Sequence, residues 1–202
     1  AQIGEYAFEA NQLTDVTIGN GVVSIGSGAF RSNQLSILSI PNSVKWIGEA
    51  AFTFNQIASI VIPDSVIEIG GDAFSFNELT SVTLSNSITS IEGAAFAFNK
   101  LKDVKIPDGV VHIGWGAFAN NELSSVTIPN SVTKIEWRAF GSNYLTNIII
   151  PDSVIEIGAA AFQSNRLRSV RISNSVNKIG RRVFSKNQLT KVTIPSSVTE
   201  IG

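Results

Sequence analysis

Asn33-Gln-Leu-Ser-Ile-Leu-Ser-Ile-Pro41-Asn-Ser-Val-Lys-Trp-Ile-Gly48-Glu-Ala-Ala-Phe-Thr-Phe54 is a single 22-residue unit, and the rest of the chain is built of units like it. Phe8, Phe30, Phe52, Phe74, Phe96, Phe118, Phe140, Phe162 and Phe184 recur at a constant 22-residue step, with no insertion between them. The same step carries Ile3 to Ile201 and Asn11 to Asn187. A period this regular is the signature of a solenoid, in which each unit is one coil of a stack.

Within the unit, Leu38-Ser39-Ile40 alternates, which predicts a short strand with Leu38 and Ile40 inward and Ile37 and Ser39 outward. Pro41-Asn42-Ser43 supplies turn chemistry. Val44-x-x-Ile47 is read as a second extended piece, and Ala51-Phe52 as a brief helical or 3₁₀ turn, with Gly48 letting the chain turn between them. A lone unit cannot bury its own apolar side chains, so stability has to come from neighbours on both sides. At a strand spacing of about 4.8 Å, nine units make a rod or arc roughly 40 Å long.

The chain is 44% hydrophobic and 15% charged, enough apolar matter for a core. A formal net charge of -1 gives no global attraction to nucleic acid or anionic membrane. No apolar run reaches membrane-spanning length, and Ala1-Gln2-Ile3-Gly4 lacks the features of a signal peptide. There is no Cys, hence no disulfide, thiolate metal site or cysteine nucleophile, and no Met. The chain is expected to be an uncapped fragment of a longer protein, a single solenoid over residues 1–202, with possible end-to-end self-association through its open ends.

Leu79-x-x-Val82-x-Leu84 and Leu123-x-x-Val126-x-Ile128 match the strand half of the leucine-rich-repeat signature. The other half of the unit, Pro-Asn/Asp-Ser-Val-x-x-Ile-Gly-x-x-Ala-Phe, resembles the BspA-type repeats of bacterial and protist surface proteins. Those repeats are one residue longer and carry Cys at the third place after the Phe, where this chain has Asn55 and its equivalents. The resemblance covers the whole chain and implies a leucine-rich-repeat solenoid, mostly β. It would have one or two short parallel strands per coil and short helical or 3₁₀ turns. The resemblance also implies surface or secreted display and adhesion.

Positions at an 88-residue offset match more closely than neighbouring units, as where Pro63–Gly70 recurs letter for letter at Pro151–Gly158. Duplication of a four-repeat block explains this, and it makes the differences informative. Ser24, Ser27 and Glu49 are answered by His112, Trp115 and Trp137; Glu78, Thr80 and Thr83 by Arg166, Arg168 and Arg171; and Phe54, Phe76 and Phe98 by Ser142, Ser164 and Lys186.

Trp115 and Trp137 share a column in adjacent coils, so they form either an exposed pair for sugar stacking or a protein hot spot, or a partly buried pair. Phe54, Phe76 and Phe98 are either an exposed apolar patch or a packing ridge. Arg166, Arg168 and Arg171 with Lys191 lie in a tail free of acidic residues between Glu156 and Glu200. They are read as solvated charge or as a site for sulfated glycans, phosphates or an acidic protein. His112, the one histidine, has no nucleophile or clustered ligands to make a triad or zinc site. Asp64, Asp108 and Asp152 lack the adjacent carboxylates and glycine-rich loops of a calcium site. The Asn column is assigned to backbone bonding and the Ser column to the turns.

Together these residues point to a noncatalytic module without cofactor or metal. It would bind a protein or glycan through an outward face, with no nucleic acid and no membrane insertion. A plain spacer or stalk is the alternative. Ice or crystal-surface binding is a lesser one, because columns such as Asp15/Thr17 and Asp103/Lys105 are irregular.

Overall fold

The computed structural model describes residues 1–202, a parallel β-solenoid in which each 22-residue unit is one coil. Fourteen two- or three-residue strands, numbered in chain order, are paired parallel in 22-residue register. The register follows from the repeat: Ile25 lies on Ile47 and Ile47 on Ile69, so identical side chains meet from coil to coil. Forty-nine buried apolar residues form one continuous cluster along the stack.

The most continuous ladder is on the Val-x-x-Ile side. It comprises β1 (Gln2–Ile3), β2 (Ser24–Ile25), β3 (Trp46–Ile47) and β5 (Glu68–Ile69). A second run contains β7 (Ser90–Ile91), β8 (His112–Ile113), β9 (Lys134–Ile135), β11 (Glu156–Ile157), β13 (Lys178–Ile179) and β14 (Glu200–Ile201). The Leu-x-x-Leu-x-Ile side has the expected alternation, with Leu38 and Ile40 buried and Ile37 75% exposed. It forms strands in only four coils: β4 (Ser59–Val61) with β6 (Ser81–Thr83), and β10 (Asn147–Ile149) with β12 (Ser169–Arg171). The two edges of the coil thus exchange the prominence that the repeat signature suggests.

The Ala-Phe segment is not helical. Gly48 O accepts from Ala51 N at 3.3 Å and Ala50 O from Thr53 N at 3.2 Å, two reverse turns in succession. Left-handed residues at Ala50 (φ 53°) and Phe54 (φ 55°) prevent the run from continuing as a helix. Every coil repeats this pair of left-handed positions, from Tyr6 and Ala10 to Arg182 and Lys186. Wherever a following coil exists, their N–H groups donate to one of its carbonyls, as Ala50 to Gly71 O (2.8 Å) and Phe98 to Ala119 O (2.9 Å). The left-handed turn aims the amide along the stack axis, and the bond offsets backbone strain of about 1–2 kcal/mol. Gly28 and Gly116 already occupy the first of these columns. Ala50→Gly is therefore expected to raise stability by about 1 kcal/mol, seen as a higher melting temperature.

The glycines preceding that turn serve close approach, not chain reversal. None of Gly48, Gly70 or Gly158 has positive φ, but a Cβ at Gly48 would lie 2.5 Å from Ser27 N, and one at Gly158 2.7 Å from Trp137 N. The ladder breaks between β5 and β7, at the coil where Glu92 takes the glycine's place. Glu136, in the same column, keeps its bond to Ile113 O at 2.9 Å, so the substitution alone does not break the ladder.

A polar ladder and an aromatic one run through the interior. Each Asn from Asn33 to Asn187 joins its coil to the one before: Asn99 Oδ1 accepts from Leu79 N (2.9 Å) while its Nδ2 donates to Phe74 O (2.9 Å) and Phe96 O (3.3 Å). Ser43, Ser131 and Ser197 donate to Val22, Val110 and Val176 carbonyls at 2.6–2.7 Å. The nine Phe rings stack in offset parallel pairs with centroids 5.3–5.8 Å apart. In the Pro turn, Asp64 Oδ1 accepts from Asn86 N at 2.8 Å, and this bond, with a second from the Asn86 side chain, holds its carboxyl below the usual range.

Candidate functional site: an aromatic face and a slot

The left-handed turns decide what this side of the coil shows to solvent. Phe54, Phe76 and Phe98 occupy the second left-handed column, and their rings stack on one another at 4.6 and 4.2 Å while each stays more than a third exposed. They are a surface stripe, distinct from the buried Phe ladder two residues earlier. Arg31 stands 6.0 Å over the Phe54 ring. At this end the stripe is flanked by Glu49 and Asp72, and burial pushes the Asp72 carboxyl up.

At its other end the stripe meets the tryptophans. Phe98, Trp115 (47% exposed) and Trp137 (51% exposed) wall a depression of about 230 Å³. Its lining includes Ala94, Ala97, Gly116 and Ala119. Small residues there are a condition of the slot. A Cβ on Gly93 would fall inside the Trp115 indole, so the ring lies flat against the coil at that point. The Arg138 guanidinium sits 5.6 Å from the Trp137 ring centroid and, with Asn120, supplies the polar part of the lining.

The structure thus brings Phe54, Phe76, Phe98, Trp115 and Trp137 onto one face and keeps the other candidates apart. His112 lies on the Val-x-x-Ile ladder, where its Nε2 is 3.1 Å from Glu136 Oε1. Lys134 Nζ reaches the same oxygen at 3.0 Å. Next along this ladder, Lys134, Glu156, Lys178 and Glu200 alternate in sign in register, a cross-strand pattern that fits a structural role. Arg166 covers the Tyr144 ring at 4.0 Å. Arg168, Arg171 and Lys191 are exposed on the Leu-x-x-Leu-x-Ile edge, without a carboxylate within 4 Å. Of the basic residues, Arg168, Arg171 and Lys191 thus share one edge, while Arg166 is engaged with Tyr144.

Burial pushes the Glu136 carboxyl up, but the Lys134 hydrogen bond and the neighbouring His112 outweigh this and hold it below its usual 4.5. A folded-state value below the unfolded one gives stability that is present above pH 4.5 and lost as pH falls through the lower, folded value. Glu136→Gln should therefore remove part of the stability loss on acidification, read from melting temperatures between neutral pH and the acid limb. At neutral pH it should cost no more than about 1 kcal/mol, because the pair is partly exposed.

Among solved structures, a leucine-rich-repeat protein from Bacteroides ovatus is 29% identical over the whole chain with a TM-score of 0.78, and this chain spans 60% of its length. A leucine-rich cell surface protein from Faecalibacterium prausnitzii is 27% identical over the whole chain, with 73% of that protein covered and a TM-score of 0.57. The pneumococcal vaccine antigen PcpA, 22% identical with a TM-score of 0.69, shares the fold over 63% of its length. Comparison with curated proteins gave no match. The family model for BspA-type leucine-rich-repeat regions matches residues 1–123 and 94–202, the entire chain between them.

Proposed function

The chain belongs to the BspA-type leucine-rich-repeat family, and we propose accordingly that it is a noncatalytic, ligand-binding repeat module of a bacterial surface or secreted adhesin-like protein. The observation that carries this reading is the face running from Phe54 through Phe76 and Phe98 into the Trp115–Trp137 slot. Exposed, contiguous aromatic surface is costly to leave in water and marks interaction sites. Tryptophans and an arginine in a shaped depression are the composition of an interface hot spot. The slot's apolar lining suits an aliphatic or aromatic side chain of a protein partner more than a polyhydroxyl ligand. Surface display is supported by the family and by the cell surface protein of Faecalibacterium prausnitzii, to which this chain is similar.

The test is surface-plasmon binding to a panel of host matrix and mucosal proteins, with the Trp115→Ala/Trp137→Ala variant beside the native chain. Loss of hot-spot contacts of about 2 kcal/mol or more corresponds to at least a roughly 30-fold weaker Kd. A folded protein that binds nothing on the panel, or binds equally well without its tryptophans, would favour the spacer role.

A further inference from the structure

The charges of the turn face are sorted along the stack. In the turn segment of each coil, from the column of Glu49 to that of Phe54, the first four coils carry Glu5, Glu9, Glu49 and Asp72, with Arg31 as the one base, itself 3.7 Å from Glu9. The next two coils, residues 93–98 and 115–120, carry no charge there, and the last three carry Arg138, Arg181, Arg182 and Lys186 without an acid. Glu49, Arg181, Arg182 and Lys186 are exposed and have no oppositely charged side chain within 4 Å. The aromatic stripe and the slot lie between the acidic and the basic end.

Such a face is complementary to itself turned end for end. A two-fold axis lying across it at the coil of Trp115 reverses the stack and leaves every column opposite itself. In the column of Glu49, Glu49 then faces Arg181, and Trp137 faces Gly93, over which Trp115 of the same copy lies flat. In the next column Arg138 faces Ala94 and Arg182 faces Ala50, and in the stripe's own column Phe76 faces Ser164 and Phe98 faces Ser142. Opposite charges meet at the ends, and large side chains meet small ones between them. A parallel pairing would set acid on acid and base on base, which like-charge repulsion suppresses. From Glu49 to Arg181 the face spans six coil steps, about 29 Å at strand spacing, which is the breadth of a standard interface patch of about 800 Å² per partner.

We propose that the aromatic face pairs with a second copy of this chain, as an antiparallel two-fold dimer in which Glu49 of each copy meets Arg181 of the other and the indoles of both copies pack at the centre. This rests on the reading of that face as a protein-binding site and names its partner. The interface is isologous and closes at two copies. End-to-end stacking, by contrast, would use the terminal coils and grow into open chains.

Sedimentation velocity of the intact chain over a range of concentrations tests this, and it should show a monomer–dimer equilibrium in the micromolar range that salt weakens. Trp115→Ala/Trp137→Ala, Glu49→Arg and Arg181→Glu should each weaken the dimer tenfold or more, because every contact occurs twice in it. An equimolar mixture of the Glu49→Arg and Arg181→Glu proteins should regain the native affinity, since the reversed charges again face opposites in both places. All four side chains are exposed, and melting curves establish that the variants fold. A chain that stays monomeric up to millimolar concentration, a dimer indifferent to these substitutions, charge variants that remain apart when mixed, or open-ended growth would each overturn the proposal. A monomeric chain that binds a panel protein through Trp115 and Trp137 would overturn the dimer alone and leave the protein-binding reading of the face standing.

Discussion

Asn121→Ala should lower the unfolding free energy by about 3–5 kcal/mol. Asn121 is 5% exposed, and its Oδ1 is the acceptor for Leu101 N at 3.0 Å. Its Nδ2 donates to Phe96 O at 2.9 Å and Phe118 O at 3.2 Å. The two carbonyls keep a second amide donor each, from Asn99 and Asn143, but the Leu101 amide has no other partner. An orphaned buried N–H costs about 1–3 kcal/mol and each lost carbonyl bond about 0.5–1.5 kcal/mol, before the missing side-chain volume is counted. Urea denaturation of the two proteins measures the sum, and a difference under about 1 kcal/mol would mean that the Asn ladder is incidental to stability. Asn121→Asp separates the bonds from the volume. It keeps the acceptor but turns the donor side into carboxylate oxygen facing two carbonyls. That carboxyl should titrate above its unfolded value, so this variant, unlike the native Glu136 pair, should recover stability relative to the native chain as pH falls.

The 22-residue spacing of Phe, Ile and Asn makes the stacking, the register and the Phe, Ile and Asn ladders legible, because each depends only on which side chain recurs. What the spacing does not convey is where neighbouring coils bond. Val44-x-x-Ile47 carries the longer ladder although the leucine-rich-repeat signature points to Leu-x-x-Leu-x-Ile, since ladder formation rests on a close approach of backbones that any apolar alternation permits. The left-handed positions are hidden for a similar reason: Tyr6, Ala50, Phe54, Asp72 and Arg138 share no side-chain chemistry, and the conformation is imposed by the amide bond to the next coil. Trp115 and Trp137 stand out against Ser27 and Glu49 at the 88-residue step, but their slot also needs Gly93, Ala94 and Ala97, whose smallness reads as neutral.

Phe118→Ala is expected to cost about 3–5 kcal/mol, with a spatial pattern that a compact domain would not give. The ring is fully buried between Phe96 and Phe140, with centroids at 5.8 and 5.6 Å. Its removal deletes two stacking contacts of about 0.5–1.5 kcal/mol each beyond the area lost, and the gap cannot close because the bonds of Phe118 N to Ala139 O and Phe96 N to Ala117 O fix the coil spacing. In a stack held by nearest-neighbour contacts the weakened interface is felt first by the coils that share it. Amide exchange should accelerate around Phe96, Phe118 and Phe140 while protection around Phe30 and Phe52 changes least. Uniform acceleration would show instead that the stack unfolds as one unit. Phe98→Ala, by contrast, is expected to cost about 1 kcal/mol or less, because that ring is 45% exposed and stacks on Phe76 alone. A cost that small, for three rings kept in contact on the surface beside two indoles, is what the proposed binding role predicts, whereas a cost near that of Phe118→Ala would make the stripe a packing ridge.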